Sequence, residues 1–328
     1  MIIADSVWWD GRLHTGVALA VGNGLTPVAE IPVGAARRRV PGTVLPGLCD
    51  AHVHSALVDL ATVRAGGLAA VWDLGGVPAT VRELAAREAP GLPRVRYAGP
   101  FLIAPGGYPS DRAWAPAGSW REVRSALDAA DAVGEARAAG ATLIKVTAHA
   151  AGPMLPAGTL AALVEAAHAG DLPVVVHAEG PGTVAAAFDA GADLLAHTPW
   201  TEAVDEGLIR ACAARMTWIS TLDIHGWGSP TPQRATAIGN LRRFRQHGGA
   251  IRYGTDLGNG PLPPAVNPRE VRALQEAGLT PDEVLSTMIE TDLAEPTWIP
   301  GGLELDPATF ADVLATARVL GPEVRPRS

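Results

Sequence analysis

The apolar positions of the chain follow two rhythms. From Met1 to about Gly42 they come in short segments, Ile2-Ile3-Ala4, Val17-Ala18-Leu19-Ala20-Val21 and Val28-Ala29-Glu30-Ile31-Pro32-Val33, separated by Gly11, Gly22-Asn23-Gly24 and Gly34. Short alternating runs between turn residues predict strands, and together a small β unit over residues 1–43. The basic run Arg37-Arg38-Arg39 reads as a solvated face or a strand edge guarded by charge. From Thr43 apolar, strand-like runs alternate with alanine-rich helical stretches. The predicted strands are Val44 to His54, Leu68 to Leu74, Val95 to Ile103, Leu143 to Ala148, Val174 to Ala178, Leu194 to Thr198, Trp218 to Leu222 and Ile251 to Asp256. The predicted helices are Ala56 to Ala65, Ala79 to Glu88, Ala129 to Ala139, Thr159 to Ala169, Thr183 to Ala190, Ala203 to Ala214, Pro232 to His247, Pro268 to Ala277 and Pro281 to Glu290. Strands each followed by a helix argue for an α/β fold, a (β/α)8 TIM barrel over residues 44–299. An open doubly wound sheet is the competing arrangement, but no Gly-x-Gly-x-x-Gly turn follows an early strand. After Ile299 the runs Pro300 to Asp306 and Phe310 to Leu320 read as further strands. Residues 300–328 are therefore expected to complete the N-terminal β unit.

Two connections are longer than ordinary loops, Ala104 to Trp120 and Asp223 to Thr231. Long loops at the carboxyl ends of barrel strands usually shape substrate sites. Tyr108, Trp114, Trp120, Trp200, His225 and Trp227 are the candidate substrate-pocket residues, with ordinary loop packing as the alternative for each aromatic. Arg112 and Arg121 are candidates for clamping a substrate carboxylate.

Composition narrows the function classes. With 328 residues, 48% hydrophobic and 18% charged, the chain fits a globular protein with a large core. A formal net charge of -8 disfavours nucleic acid or an anionic membrane as the main partner and leaves a small-molecule substrate, with a homo-oligomer possible. No stretch is long and apolar enough to span a bilayer. No secretory signal is read at the N-terminus, and the two cysteines, Cys49 and Cys212, give no disulfide framework. A cytoplasmic location is expected. Lys145 is the only lysine in the chain. Arginine serves everywhere else as the surface cation, so this lysine is a candidate for chemistry that needs a neutral amine. Drift in a lysine-poor composition is the alternative.

The chemistry-bearing residues sit at predicted strand ends. Asp50, His52 and His54 alternate with Ala51 and Val53, which puts them on one face where an apolar run stops. A divalent metal would satisfy both imidazoles, and Asp50 is expected to orient one of them. A pair of surface histidines is the bland alternative. The fourth predicted strand ends near Lys145, the fifth on His177, the sixth on His197 and the eighth on Asp256. In a barrel these ends converge on one mouth, and neutral imidazoles with a carboxylate suit zinc and its neighbours. His149 is expected to cap its strand, and His14, His168 and His247 to lie in outer segments.

The set resembles the amidohydrolase superfamily, and more narrowly its imidazolonepropionase-like and prolidase-like branch. Pro46-Gly47-Leu48-Cys49-Asp50-Ala51-His52-Val53-His54 is similar to the opening motif of that family. Ala139 to Val146 resembles its lysine strand, and Glu165 to Gly170 leading to Val176-His177-Ala178 its fifth unit. Ala190 to His197 resembles its sixth unit, and Gly254-Thr255-Asp256 its eighth. The resemblance covers nearly the whole chain, including a β sandwich formed by both chain ends. It implies two divalent metal ions, most plausibly zinc, bridged by a carboxylated Lys145. His52, His54, Asp256 and Lys145 would hold the first ion, and Lys145, His177 and His197 the second. The implied activity is hydrolysis of an amide-type C–N bond in a dipeptide, an N-acyl amino acid or a lactam-like ring, with Asp256 as the proton carrier. The competing readings are a mononuclear deaminase or cyclic-amidine hydrolase of the same superfamily, and a catalytically silent ligand-binding barrel.

Overall fold

The computed structural model describes residues 1–22, 24–87 and 91–321. Glu88, the expected end of the second helix, and residues 322–328 of the expected C-terminal β segment lie outside the described residues.

The fold is a mixed α/β one. Seven strands lie in one parallel sheet, in the order Trp120–Glu122, Phe101–Ile103, Ile144–His149, Val174–Glu179, Leu194–Leu195, Thr217–Ile219 and Ala250–Arg252. A second sheet carries the parallel strands Arg94–Tyr97, Leu68–Asp73 and Gly47–Val53, with Ile289–Glu290 antiparallel at its edge. Backbone bonds join the two sheets at both sides. Thr142 N–H donates to Tyr97 O at 2.9 Å, Ala51 N–H to Tyr253 O at 3.0 Å and His54 N–H to Leu257 O at 2.8 Å. Gly47–Val53 is buried along its whole length, as is Val174–Val176, which fits strands covered on both faces.

The single strand expected from Val95 to Ile103 is two strands, because Gly99 takes a left-handed φ of 77° and Pro100 has no N–H to give a ladder. Pro46 likewise separates Thr43–Leu45 from Gly47–Val53. Helices follow the strands as the alanine-rich stretches predict. Asp59, Ser125, Asp205, Thr231, Asn267 and Thr280 each accept a backbone N–H from the first turn of the helix they precede. These caps set the angle at which the chain leaves the site end of each strand. No helix among the described residues is long and apolar enough to cross a membrane.

Both chain ends meet in a five-stranded sheet ordered Arg318–Val319, Thr297–Ile299, Thr43–Leu45, Ser6–Trp9 and Arg12–His14. A four-stranded sheet of Leu25–Val28, Ala18–Val21, Ile2–Ile3 and Arg38–Arg39 lies beside it. Ile2, Val7, Leu19, Val44 and Leu320 form one buried cluster between the elements of these two sheets. The basic run ends up in a two-residue strand at a sheet edge, pairing only with Ile2–Ile3. The tail departs from expectation. Pro300 to Asp306 forms no strand, and Phe310–Leu314 is a helix, with Phe310, Ala311 and Leu314 buried at helical spacing against the helix Pro268–Glu276. Only Arg318–Val319 pairs as a strand there.

The strand Thr217–Ile219 is fixed to its helix, Pro232–Gln246, by Trp218 and Phe244, whose rings stack at 3.9 Å and 5°. Both side chains are fully buried. Phe244→Ala is expected to cost about 3–5 kcal/mol, through lost burial and the cavity left under Trp218. The midpoint of urea unfolding checks this; an unchanged midpoint would show that the ring pair does not hold the helix.

Candidate active site

His52 lies one residue before the end of its strand and His54 just beyond it. Their Nδ1 atoms sit on carbonyl oxygens, His52 on Ala196 O at 2.8 Å and His54 on Gly75 O at 2.9 Å. A carbonyl only accepts, so each Nδ1 carries the proton and each Nε2 is turned inward. Both Nε2 atoms converge on one oxygen, Asp256 Oδ1, at 3.1 and 3.2 Å. Burial drives the pKa of His52 well below the ordinary imidazole range. Burial works the same way on His54, but its hydrogen bond to Asp256, the charges of Asp256 and Asp73 and the Gly75 carbonyl together outweigh it and the pKa rises. Burial favours the neutral acid of Asp256, yet the facing His52 and His54 hold this carboxyl well below its usual value.

Asp256 reaches this point from a tight segment. Its own φ is 59°, the left-handed region that costs a non-glycine residue energy. Gly254 is required by close approach: a Cβ there would lie 2.3 Å from Ile219 Cγ2 and 3.1 Å from His52 Cβ. Asp50 braces the arrangement. Its Oδ1 accepts His52 N–H at 2.9 Å and Thr255 N–H at 3.0 Å, and its Oδ2 accepts the Thr255 hydroxyl at 2.5 Å. Asp50 thus ties the His52 strand to the Asp256 segment through backbone and hydroxyl. It does not orient an imidazole, because both histidine Nδ1 atoms are already held by carbonyls.

Lys145 is fully buried and has no ion-pair partner within 4.0 Å among the described residues. Burial pulls its ammonium down to about 7, against the opposing pull of Asp256 and Asp73. His197 donates or accepts through Nδ1 to Thr221 Oγ1 at 2.9 Å, and its ring lies 4.6 Å from that of His52. Burial lowers the pKa values of both His197 and His177. Ligand atoms of His52, His197 and Asp256 lie within 4.8 Å of one another, and those of His149, His177 and Glu179 form a second such group.

The sequence pattern does not single out that second group. Glu179 Oε2 sits 3.0 Å from His177 Nε2 and 3.0 Å from His149 Nδ1. Burial raises the Glu179 pKa, but the hydrogen bonds and charges of His177 and His149 together outweigh it and the net shift is downward. His149 therefore faces the site instead of capping its strand, and Tyr108 stacks on it at 5.0 Å and on His177 at 4.8 Å. The signal was period-two spacing: Lys145, Thr147 and His149 share one strand face, as do His177 and Glu179. His14, His168 and His247 lie away from the site, on Trp9 O, Asp193 and Glu206 respectively.

His52, His54, Lys145, His177, Glu179, His197 and Asp256 line a cavity of about 330 Å³. Of the residues expected in its wall, Tyr108, Trp114 and Trp200 are there, joined by Leu57, Phe101, Ile224 and Asn259, which the sequence did not single out. His225 lies behind the wall, stacked on Trp200 at 4.8 Å, with its imidazole pushed down to about 4 by burial. Trp227 packs over Gly260 at the rim. Trp120 is a correction. Its strand pairs with Phe101–Ile103, and it lines a separate hollow with Pro78, Pro100 and Glu135. Arg121 is another, since its guanidinium is occupied by Asp128 at 2.6 Å and Glu135 at 3.1 Å. Arg112 lies outside the lining, paired with Asp111 at 3.4 Å.

No model of a known protein family matches this chain, and no curated protein matches it. Solved structures do. A Xaa-Pro dipeptidase with methionine bound in its active site matches with a TM-score of 0.77 at 18% identity, covering 96% of this chain and 96% of that one. An amidohydrolase matches with a TM-score of 0.77 at 18% identity over 99% of each chain. The ochratoxinase of A. niger matches with a TM-score of 0.76 at 18% identity, covering 96% of this chain and 91% of that one. The chain has the fold of these proteins over nearly its whole length, in agreement with the resemblance read from the strand-end motifs.

Asp50→Ala is expected to cost about 2–4 kcal/mol, since it strands two buried N–H groups and a hydroxyl. Urea unfolding measures this. The same stability in the variant would mean that Asp50 is not the brace between His52 and Thr255.

Proposed function

We propose that this chain is a metal-dependent hydrolase that cleaves an amide-type C–N bond of a small molecule with an activated water. The observation that carries the reading is the convergence of His52 Nε2 and His54 Nε2 on Asp256 Oδ1, with buried Lys145 among the lining residues of the same cavity. Imidazoles whose outer nitrogens are fixed by carbonyls and whose inner nitrogens converge beside an ionised carboxylate fit the donor set of zinc. Such ions supply, when bound, a water of lowered pKa and a polarised substrate carbonyl.

His52, His54, Asp256 and Lys145 would hold one ion, and Lys145, His177 and His197 a second. Lys145 would suit the bridging role once its neutral amine has reacted with carbon dioxide: the Nζ–C bond forms as one C–O π bond opens, one proton leaves Nζ, and the neutral amine becomes an anion with two oxygens. A lysine pulled toward neutrality by burial supplies the free amine this needs. Asp256 is placed to take the proton of the attacking water and deliver it to the leaving nitrogen. Glu179 orients His177 through Nε2, and the aromatic wall excludes water from the substrate. The fold that supports this reading is a (β/α)8 barrel over residues 44–299, beside a β unit of the strands of residues 1–43 to which Thr297–Ile299 and Arg318–Val319 are added. The backbone bonds from Ala51 and His54 to the Tyr253–Leu257 segment support closure. A cytoplasmic location belongs to the same reading.

Zinc-loaded protein prepared with bicarbonate is expected to carry about two ions per chain by elemental analysis. Lys145→Ala is expected to lose both metal and turnover of amide substrates while its far-UV circular dichroism is kept. Lys145→Arg is expected to behave the same way, because arginine cannot form the carbamate. An arginine variant with full metal content and full turnover would remove Lys145 from the bridge. One ion per chain in the parent protein would favour the mononuclear deaminase reading.

A further inference from the structure

The cavity wall has a chemical bias that its metal-ligand candidates do not explain. Two of the large apolar side chains exposed on this protein, Leu57 at 52% and Trp114 at 45%, are lining residues of this cavity. Trp227, 46% exposed, packs against Gly260, another lining residue. Exposed large apolar groups gathered at a cleft mark the place where a ligand removes them from water. Deeper in, Phe101 and Tyr108 meet Trp114 at ring distances of 6.2 and 6.1 Å in edge-to-face geometry. Trp200 and Ile224 also line the cavity.

Apart from the ions the site would hold, the charges of the wall have the opposite sign from what a carboxylate needs. Asp256 and Glu179 both line the cavity, and Lys145 is the one lysine or arginine among the lining residues. The two arginines nearest in sequence to the aromatic loop are committed elsewhere. Arg121 is held by Asp128 and Glu135, and Arg112 pairs with Asp111, its guanidinium over the Tyr108 ring at 5.4 Å. A carboxylate brought into this cavity would lose its water, meet Glu179 and find no bidentate partner.

We propose that the site takes uncharged carbonyl compounds, amides, carbamates or ureas whose flanking groups are apolar and include an aromatic ring, and that it discriminates against substrates carrying a free carboxylate. The reaction rests on the hydrolase reading above; the selectivity rests on the cavity wall. Leu57 and Trp114 cover the apolar flank of the substrate, and Glu179 repels an acid placed at the same distance from the scissile bond. Dipeptides and N-acyl amino acids are thereby disfavoured among the substrates that the amidohydrolase resemblance implies.

The test uses the zinc-loaded full chain and a matched pair that differs only in the carboxylate, N-acetyl-L-phenylalanine and N-acetyl-2-phenylethylamine, with a phenylcarbamate ester as a third compound. Turnover is read as kcat/KM, and binding separately by calorimetry. The uncharged amide is expected to exceed the acid by about tenfold or more in whichever readout is measurable. Leu57→Arg, a change at an exposed position on the rim, is expected to shift the ratio about tenfold toward the acid. Trp114→Ala is expected to weaken the uncharged compounds about tenfold and the acid little. Equal or better performance by the acid in the parent protein overturns the proposal. Absence of turnover for all three compounds, with the uncharged ones still binding more tightly, counts against the hydrolase reading and supports the selectivity.

Discussion

Asp50 is the buried carboxylate on which the geometry of the site depends. It lies in the middle of an apolar strand, where an uncompensated charge is costly. Its three hydrogen bonds go to the His52 and Thr255 backbone N–H groups and the Thr255 hydroxyl. Those contacts lock together two segments some two hundred positions apart in the sequence, one carrying His52 and His54 and the other Asp256. Burial and the shared hydrogen bonds leave this acid with a pKa of about 7, so the brace sits in a strongly desolvated place. Asp256 can occupy its left-handed backbone conformation because Thr255 before it is held on Asp50.

Parallel strands explain why the donors meet at all. The strands are largely apolar where they are covered on both faces, and most of the site's donors appear at or beyond the carboxyl ends, with Asp50 and Lys145 the exceptions inside their strands. His54 and His197 lie one and two residues past the last paired residue of their strands, and Asp256 lies in the irregular segment that follows Ala250–Arg252. Such irregular segments accommodate the φ values of Thr221 and Asp256, which a regular strand would forbid, and these two residues contact His197, and His52 with His54. The strands supply the alignment, and the segments after them supply the direction of these side chains.

Much of this was legible in the sequence because it depends on local pattern. Apolar runs such as Val174-Val175-Val176 before His177 mark both the strand and the place where it ends. The helix starts expected at Pro232, Pro268 and Pro281 are the observed ones. What stayed hidden depends on neighbours distant in sequence. Trp120 looks like any loop tryptophan until its strand is seen pairing with Phe101–Ile103, which turns it away from the cavity. Arg121 looks free until Asp128 and Glu135 are found on it. The tail read as strands because its apolar residues are short runs, whereas Phe310, Ala311 and Leu314 bury a helical face against Pro268–Glu276. His149 and Glu179 could have been found, since their period-two spacing from Lys145 and His177 places them on the site face of the same strands.

The central claim is that His52, His54, Lys145, His177, His197 and Asp256 hold divalent ions close together. X-ray absorption at the zinc edge of zinc-loaded protein tests it most directly. The account predicts a first shell of nitrogen and oxygen donors with imidazole scattering, and a zinc–zinc distance of about 3.5–4 Å. A shell of oxygen alone, without imidazole scattering, would contradict it.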